Sequence, residues 1–133
     1  MLPPLLLDTH VLVRWLFEAK RLSRQQSRAI EEAMQRSEPV ALSAIALLEI
    51  AVLASDGRLR LKGSVEEFFS ALAAGPAMRV LPLSYEVAAE SAALGSLKDP
   101  ADRTIVATAR VHRLRLVTSD QRIIDSNLAP MVD

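Results

Sequence analysis

Residues 5–8 read Leu-Leu-Leu-Asp and residues 116–120 read Leu-Val-Thr-Ser-Asp, and these two stretches decide the architecture. Each is an apolar run with a carboxylate at or just past its end. A strand with one wet face alternates apolar and polar residues, whereas an unbroken apolar run suits a strand covered on both faces. Between the two stretches, helical patterns alternate with further short apolar runs. Alternation of this kind implies a parallel sheet with helices on both faces. Ligands of such sheets bind beyond the carboxyl ends of the strands. Asp8 and Asp120 stand at that edge if their strands are neighbours.

The rest of the chain fits around these strands. Residues 10–17 read as a short helix, and Ser23 as the N-cap of a polar helix through about Arg36. Pro39 precedes a strand over residues 40–42. Ser43 caps an apolar helix to about Ser55, which Asp56-Gly57 stops. Ser64 opens a helix with Glu66 and Glu67 in its first turn, where acids suit the dipole, and Gly75-Pro76 ends it. A third strand is expected over residues 79–83, then a helix from Ser84 to about Leu97. Asp99-Pro100 starts another helix that ends near His112. A short helix is expected after Asp120 and a last strand near Met131.

The 133 residues are half hydrophobic, enough for one domain spanning residues 1–133, and no repeat or linker interrupts them. With no cysteine there is neither a disulfide frame nor a thiolate metal site, as in proteins of a reducing cytoplasm. The formal charge is zero, from 16 basic and 16 acidic residues, so local rather than total charge decides whether nucleic acid is a partner. Arg14, Arg21, Arg24, Arg28 and Arg36 fall in the first third, suited either to phosphate contact or to a solvated helix face. No basic leader opens the sequence. Its most apolar segment, residues 40–54, falls short of the ~20 residues of a membrane span and contains Glu49. A cytoplasmic protein without a membrane partner is expected.

The helix that starts at Asp99-Pro100 must run opposite to the strand after it. Its roughly eleven residues rise ~16 Å, about the length of that strand with its connection. Asp102 should therefore lie near Asp120, with Asp99 one turn away. Glu49 has Ile45, Ala46, Val52 and Leu53 as helical neighbours, all apolar, so it is expected on a buried face. A buried carboxylate without a partner costs several kcal/mol unless a cation or strong donor meets it. Glu49 lies six residues past Ser43, which sets it ~9 Å back from the strand end; it reaches the edge if its side chain leans toward the helix N-terminus. Each acid also has a local reading. Asp8 and Asp120 suit turns or caps, Asp99-Pro100 with Asp102 suits a helix start, and Glu49 suits an arginine pair. Yet four of the seven aspartates fall at one edge. Converging carboxylates without cysteine or paired histidines form an all-oxygen site suited to Mg²⁺ or Mn²⁺. Two such ions ~3.5–4 Å apart can clamp the attacking and leaving oxygens of a phosphodiester.

Leu7-Asp8-Thr9-His10 with Trp15-Leu16, Ser43-Ala44-Ile45 leading to Glu49-Ile50, Asp99-Pro100-Ala101-Asp102-Arg103 with residues 105–109, and residues 116–120 together resemble the PIN-domain ribonucleases. The likeness is to the VapC-like toxins of bacterial and archaeal toxin–antitoxin pairs, and it spans nearly the whole chain. It implies a three-layer α/β/α fold with a short central parallel sheet. It implies Mg²⁺- or Mn²⁺-dependent cleavage of single-stranded or loop RNA, a homodimer, and inhibition by a small cognate antitoxin. Asp8, Glu49, Asp102 and Asp120 match the family's four acids, as catalytic and metal-binding residues; Asp99 is an extra acid ranked below them. Thr118 and Ser119 are candidates to orient the site or bind phosphate, and Arg14 to contact substrate. Trp15 reads as core rather than a base-stacking platform, and His10 and His112 as structural. The sequence has fewer aromatic and basic residues after its first acid than the family often carries.

An aspartyl-nucleophile phosphatase would need an acid where His10 stands, and a receiver domain a lysine after a late strand. No GxGxxG, P-loop or GxSxG stretch is present. The alternative from another class is a catalytically weak domain that binds RNA or a partner protein; the intact set of four acids argues against it.

Overall fold

A computed structural model describes residues 3–133. Among the described residues five strands form one parallel sheet in the order β3-β2-β1-β4-β5. They are β1 (Leu5–Leu7), β2 (Val40–Ser43), β3 (Met78–Leu81), β4 (Arg115–Val117) and β5 (Met131–Val132). The helices are α1 (Thr9–Phe17), α2 (Arg24–Gln35), α3 (Ala44–Ser55), α4 (Val65–Ala74), α5 (Tyr85–Ala92), α6 (Pro100–His112) and α7 (Gln121–Ser126), with a 3₁₀ turn at Ala19–Arg21. Helices flank both faces, giving the three-layer α/β/α arrangement.

The unbroken apolar runs do what covered strands require. Successive side chains point to opposite faces. Leu5, Leu7, Val40, Leu42 and Val117 pack with Val11, Leu12, Ile30 and Ile50 from the layer of α1, α2 and α3. Leu6, Ala41 and Leu116 pack with Val87, Ile105, Val106 and Ile123 from α5, α6 and α7. β1 is wholly buried between these cores.

The order of the strands positions the site. From β1 the chain builds outward through β2 to β3, then returns to place β4 on the other side of β1. The order of strand addition therefore reverses between β1 and β4, and a crevice opens there, beyond their carboxyl ends. Leu7 pairs with Val117 in register, so Asp8 and the segment after β4 emerge side by side.

Two expected boundaries move. β3 ends at Leu81 rather than Leu83, because Pro82 has no N–H to give a neighbouring strand. α5 ends at Ala92 rather than near Leu97. There Leu94 and Leu97 turn into the core, 2% and 4% exposed, on either side of Gly95. The stop after α3 is as expected, with Gly57 in the left-handed region at φ 72°. Among the described residues no helix is long and apolar enough to cross a membrane.

Candidate active site

The acids arise from helix starts and strand ends. Asp8 follows β1 and caps α1, its Oδ1 accepting the Thr9 N–H at 2.8 Å. Its Oδ2 accepts the Thr118 hydroxyl at 2.7 Å. The same hydroxyl accepts the Asp120 N–H at 3.1 Å, so one buried side chain ties together the ends of the two central strands. Asp120 caps α7 through Oδ1, which accepts the Arg122 N–H at 2.9 Å. Asp99 caps α6 by accepting from Ala101 and Asp102, and Pro100 takes the first helical position. Glu49 projects from α3 and its Oε1 accepts the Thr9 hydroxyl at 2.5 Å. The capping roles are real, and the same carboxylates face a common space.

That space is a cleft of about 870 Å³ lined by Asp8, Glu49, Asp99, Asp102 and Asp120. Arg14, Arg21, Arg58 and Arg122 stand around it, and Leu48 and Val52 form part of an apolar wall. A smaller hollow of about 420 Å³, between Pro3, Arg110 and Leu128, contains Glu90 as its one acid. Electrostatics report the crowding. Burial pushes the Asp102 carboxyl up to about 6, with Asp99, Asp120 and Asp8 adding to the shift. Burial also raises Glu49, aided by Asp8 and Asp99 against the Thr9 hydrogen bond. Asp120 is partly buried, but its hydrogen bonds and ion pair with Arg122 outweigh that and hold its carboxyl below the usual range. Like charges that raise one another mark a site of negative potential.

The donors are all oxygen and suit a hard divalent cation. As the side chains stand, no three acids or histidines among the described residues close around one point. Arg122 lies between two of them, 3.1 Å from Asp120 and 3.6 Å from Asp102. A cation would need side-chain rotations to gather its ligands.

Several features differ from the sequence expectations. Glu49 is half-buried on the cleft wall and meets Thr9, not an arginine. The fully buried residues of α3 are Ala46 and Ile50, while Leu48 and Val52 are 58% and 49% exposed. Thr118 is fully buried with its hydroxyl engaged by Asp8, so it orients that carboxylate and cannot touch substrate. Ser119 is exposed but tethered, accepting from the buried Gln26 at 2.8 Å and from Arg14 at 3.4 Å. Trp15 packs against the core on the α1 side. His10, expected to be structural, lines the cleft. Its Nε2 accepts the Ser119 N–H at 2.9 Å, which leaves the proton on Nδ1, 3.4 Å from Asp8 Oδ2. Burial lowers its pKa against the pull of Asp8. Thr9, His10 and Arg122 were missed as site residues; adjacency to Asp8 and Asp120 was the available signal.

Thr118→Val tests the tie between strands. The substitution keeps the shape, but it removes the donor to Asp8 and the acceptor for the Asp120 N–H. A loss of about 1–3 kcal/mol is expected, measured by urea unfolding. An unchanged midpoint would mean that water replaces the hydroxyl without cost.

A parallel α/β/α sheet with a carboxylate-lined cleft at its switch point defines a class of compact acid-site domain. Within that class the chain belongs to the PIN-domain family, whose profile matches residues 5–126. It is 42% identical over 120 residues to Ribonuclease VapC22 of Mycobacterium tuberculosis, covering 89% of this chain and 88% of that one. Among solved structures it resembles FitAcB from Neisseria gonorrhoeae at 26% identity and a TM-score of 0.69, covering 97% of this chain and 96% of that one. It shares its fold with a chain of a toxin–antitoxin complex from Klebsiella pneumoniae, at 23% identity and a TM-score of 0.67, covering 96% and 95%.

Proposed function

We propose that the protein is an endoribonuclease that uses Mg²⁺ or Mn²⁺ to cleave single-stranded or loop RNA, and that it is the toxin of a toxin–antitoxin pair. One observation carries the reading: of the six carboxylates that line one cleft at the switch point of the sheet, five come together from four separate stretches, and the sixth, Glu18, is paired with Arg21. The 42% identity to a ribonuclease supports the choice of RNA as substrate.

Asp8, Glu49, Asp102 and Asp120 would hold the cation, with Asp99 in reserve one turn from Asp102. A bound divalent ion supplies a water of lowered pKa and offsets charge on the scissile phosphate. The chain's own groups prepare the site. Thr118 fixes the rotamer of Asp8, His10 backs the same carboxylate, and the Thr9 hydroxyl draws Glu49 toward the strand end. Arg14 and Arg21 stand around the cleft where phosphates of the RNA would pass. The shared fold with a toxin–antitoxin complex supports a small cognate antitoxin as partner. Exposed Leu48 and Val52 on the cleft wall give such a partner an apolar foothold. We assign the chain to a homodimer in the cytoplasm, in keeping with the family resemblance and the lack of cysteine.

Metal-stripped protein tests the reading. RNA cleavage should disappear with chelator, return with Mg²⁺ or Mn²⁺, and be lost in Asp8→Asn under conditions where that variant remains folded. Cleavage that survives in Asp8→Asn, or that ignores chelation, would remove the proposal. Sequencing RNA ends after induced expression would then give the target.

A further inference from the structure

Four arginines line the cleft, and one is set apart by what it touches. Arg21 pairs with Glu18, and Arg14 reaches Ser119. Arg122, in the first turn of α7, instead lies among the acids. Its Nη2 is 3.1 Å from Asp120 Oδ2 and 3.6 Å from Asp102 Oδ2. The two carboxylates come from different elements, and the guanidinium is the cation they share. Asp120 Oδ1 is already engaged by the Arg122 N–H as a helix cap. The guanidinium lies over both oxygens of Asp120, with Nη2 3.1 Å from Oδ2 and Nε 3.4 Å from Oδ1.

The hold is weak by construction. The Arg122 side chain is 74% exposed, and ion pairs in water are cheap to break. A divalent ion carries twice the charge and binds carboxylate oxygen at shorter range. With the guanidinium in place, no three acids among the described residues close around one point. Without any cation, Asp102 would face Asp99, Asp120 and Asp8 uncompensated.

We propose that Arg122 is a displaceable internal counterion: its guanidinium and a divalent cation compete for the Oδ2 atoms of Asp102 and Asp120. Metal loading expels the guanidinium toward solvent, and metal loss lets it return. The inference rests on the reading that these acids hold a cation.

The test uses the full chain stripped of metal and titrated with Mn²⁺, with binding read by calorimetry and by the electron paramagnetic resonance of free Mn²⁺. Wild type is compared with Arg122→Gln and with Arg58→Gln, which removes one charge from the same cleft. Arg122→Gln should bind Mn²⁺ about three- to ten-fold tighter, while Arg58→Gln stays within about two-fold of wild type because among the described residues no ion pair joins Arg58 to an acid. Equal or weaker affinity in Arg122→Gln overturns the competition and leaves the metal site standing. Equal tightening in both variants also overturns it, since general charge would then suffice. No Mn²⁺ binding by wild type or by Arg122→Gln would strike the metal-site reading itself and take the counterion with it.

Discussion

Replacing Asp102 by asparagine is expected to raise the melting temperature of the metal-free protein and to abolish metal-dependent RNA cleavage. The two effects have one cause. Asp102 sits in the first turn of α6 with its pKa raised to about 6 by burial and by three neighbouring carboxylates. A carboxyl whose pKa is raised by folding favours its protonated form in the folded state. Its ionisation therefore destabilises the fold, and the penalty is fully present above pH ~6 and absent below the unfolded value near 4. Asparagine removes the charge and the penalty. The gain is offset by the lost pair with Arg122 and by the lost acid in the first turn of α6. A net gain of about 1 kcal/mol is expected, or roughly 3–5 °C. The same oxygen is a proposed ligand. Residues that merely back a metal ligand already cost about 10- to 100-fold when removed, so loss of a ligand should cost at least about 100-fold in cleavage. Differential scanning calorimetry at pH 7 and at pH 4.5 checks the first half. The advantage of the variant should shrink at the lower pH, where wild-type Asp102 is itself neutral. A variant less stable than wild type at pH 7 would mean that Asp102 acts as an ion-pair partner.

The sequence made the sheet legible because its strands are short and covered on both faces. Leu5-Leu6-Leu7 and Leu116-Val117 cannot be mistaken for an amphipathic surface, and the acids after them sit where parallel topology sends strand ends. The Asp99-Pro100 helix start was equally readable, since capping is local chemistry. Glu49 was harder. Its apolar neighbours suggested full burial, but a helix on one side of a cleft exposes apolar residues along the cleft wall, and Leu48 and Val52 do so. Sequence periodicity has no knowledge of clefts. Arg122 and Thr9 offered only their nearness in sequence to Asp120 and Asp8, for a related reason. Their importance comes from contacts across 20 residues, to Asp102, and across 40, to Glu49, which only the order of the strands creates. His10 was read as structural, yet it lines the cleft and its ring nitrogens link Asp8 to the Ser119 backbone. A histidine can serve a site without binding anything itself.

The second large effect is stabilisation by metal. A cation that binds the folded chain alone raises its stability by RT ln(1 + [M]/Kd), about 2.7 kcal/mol at one hundred times Kd. For a chain of this length that corresponds to roughly 10 °C in melting temperature. The increment should be larger than for an ordinary surface site because the ion also neutralises carboxylates that repel one another. It should also depend on pH with a definite sign. Ligand carboxylates must be deprotonated, and Asp102 titrates near 6 with Glu49 also raised. Protons therefore compete with the ion from about pH 6 downward, and the Mn²⁺-induced rise should be full at pH 7.5 and much reduced at pH 5. Thermal melts with and without saturating Mn²⁺ at both pH values measure it. The rise should vanish in Asp8→Asn, which keeps the cleft but loses a ligand at the end of β1. An equal rise in Asp8→Asn, or one indifferent to pH, would locate the ion away from these acids.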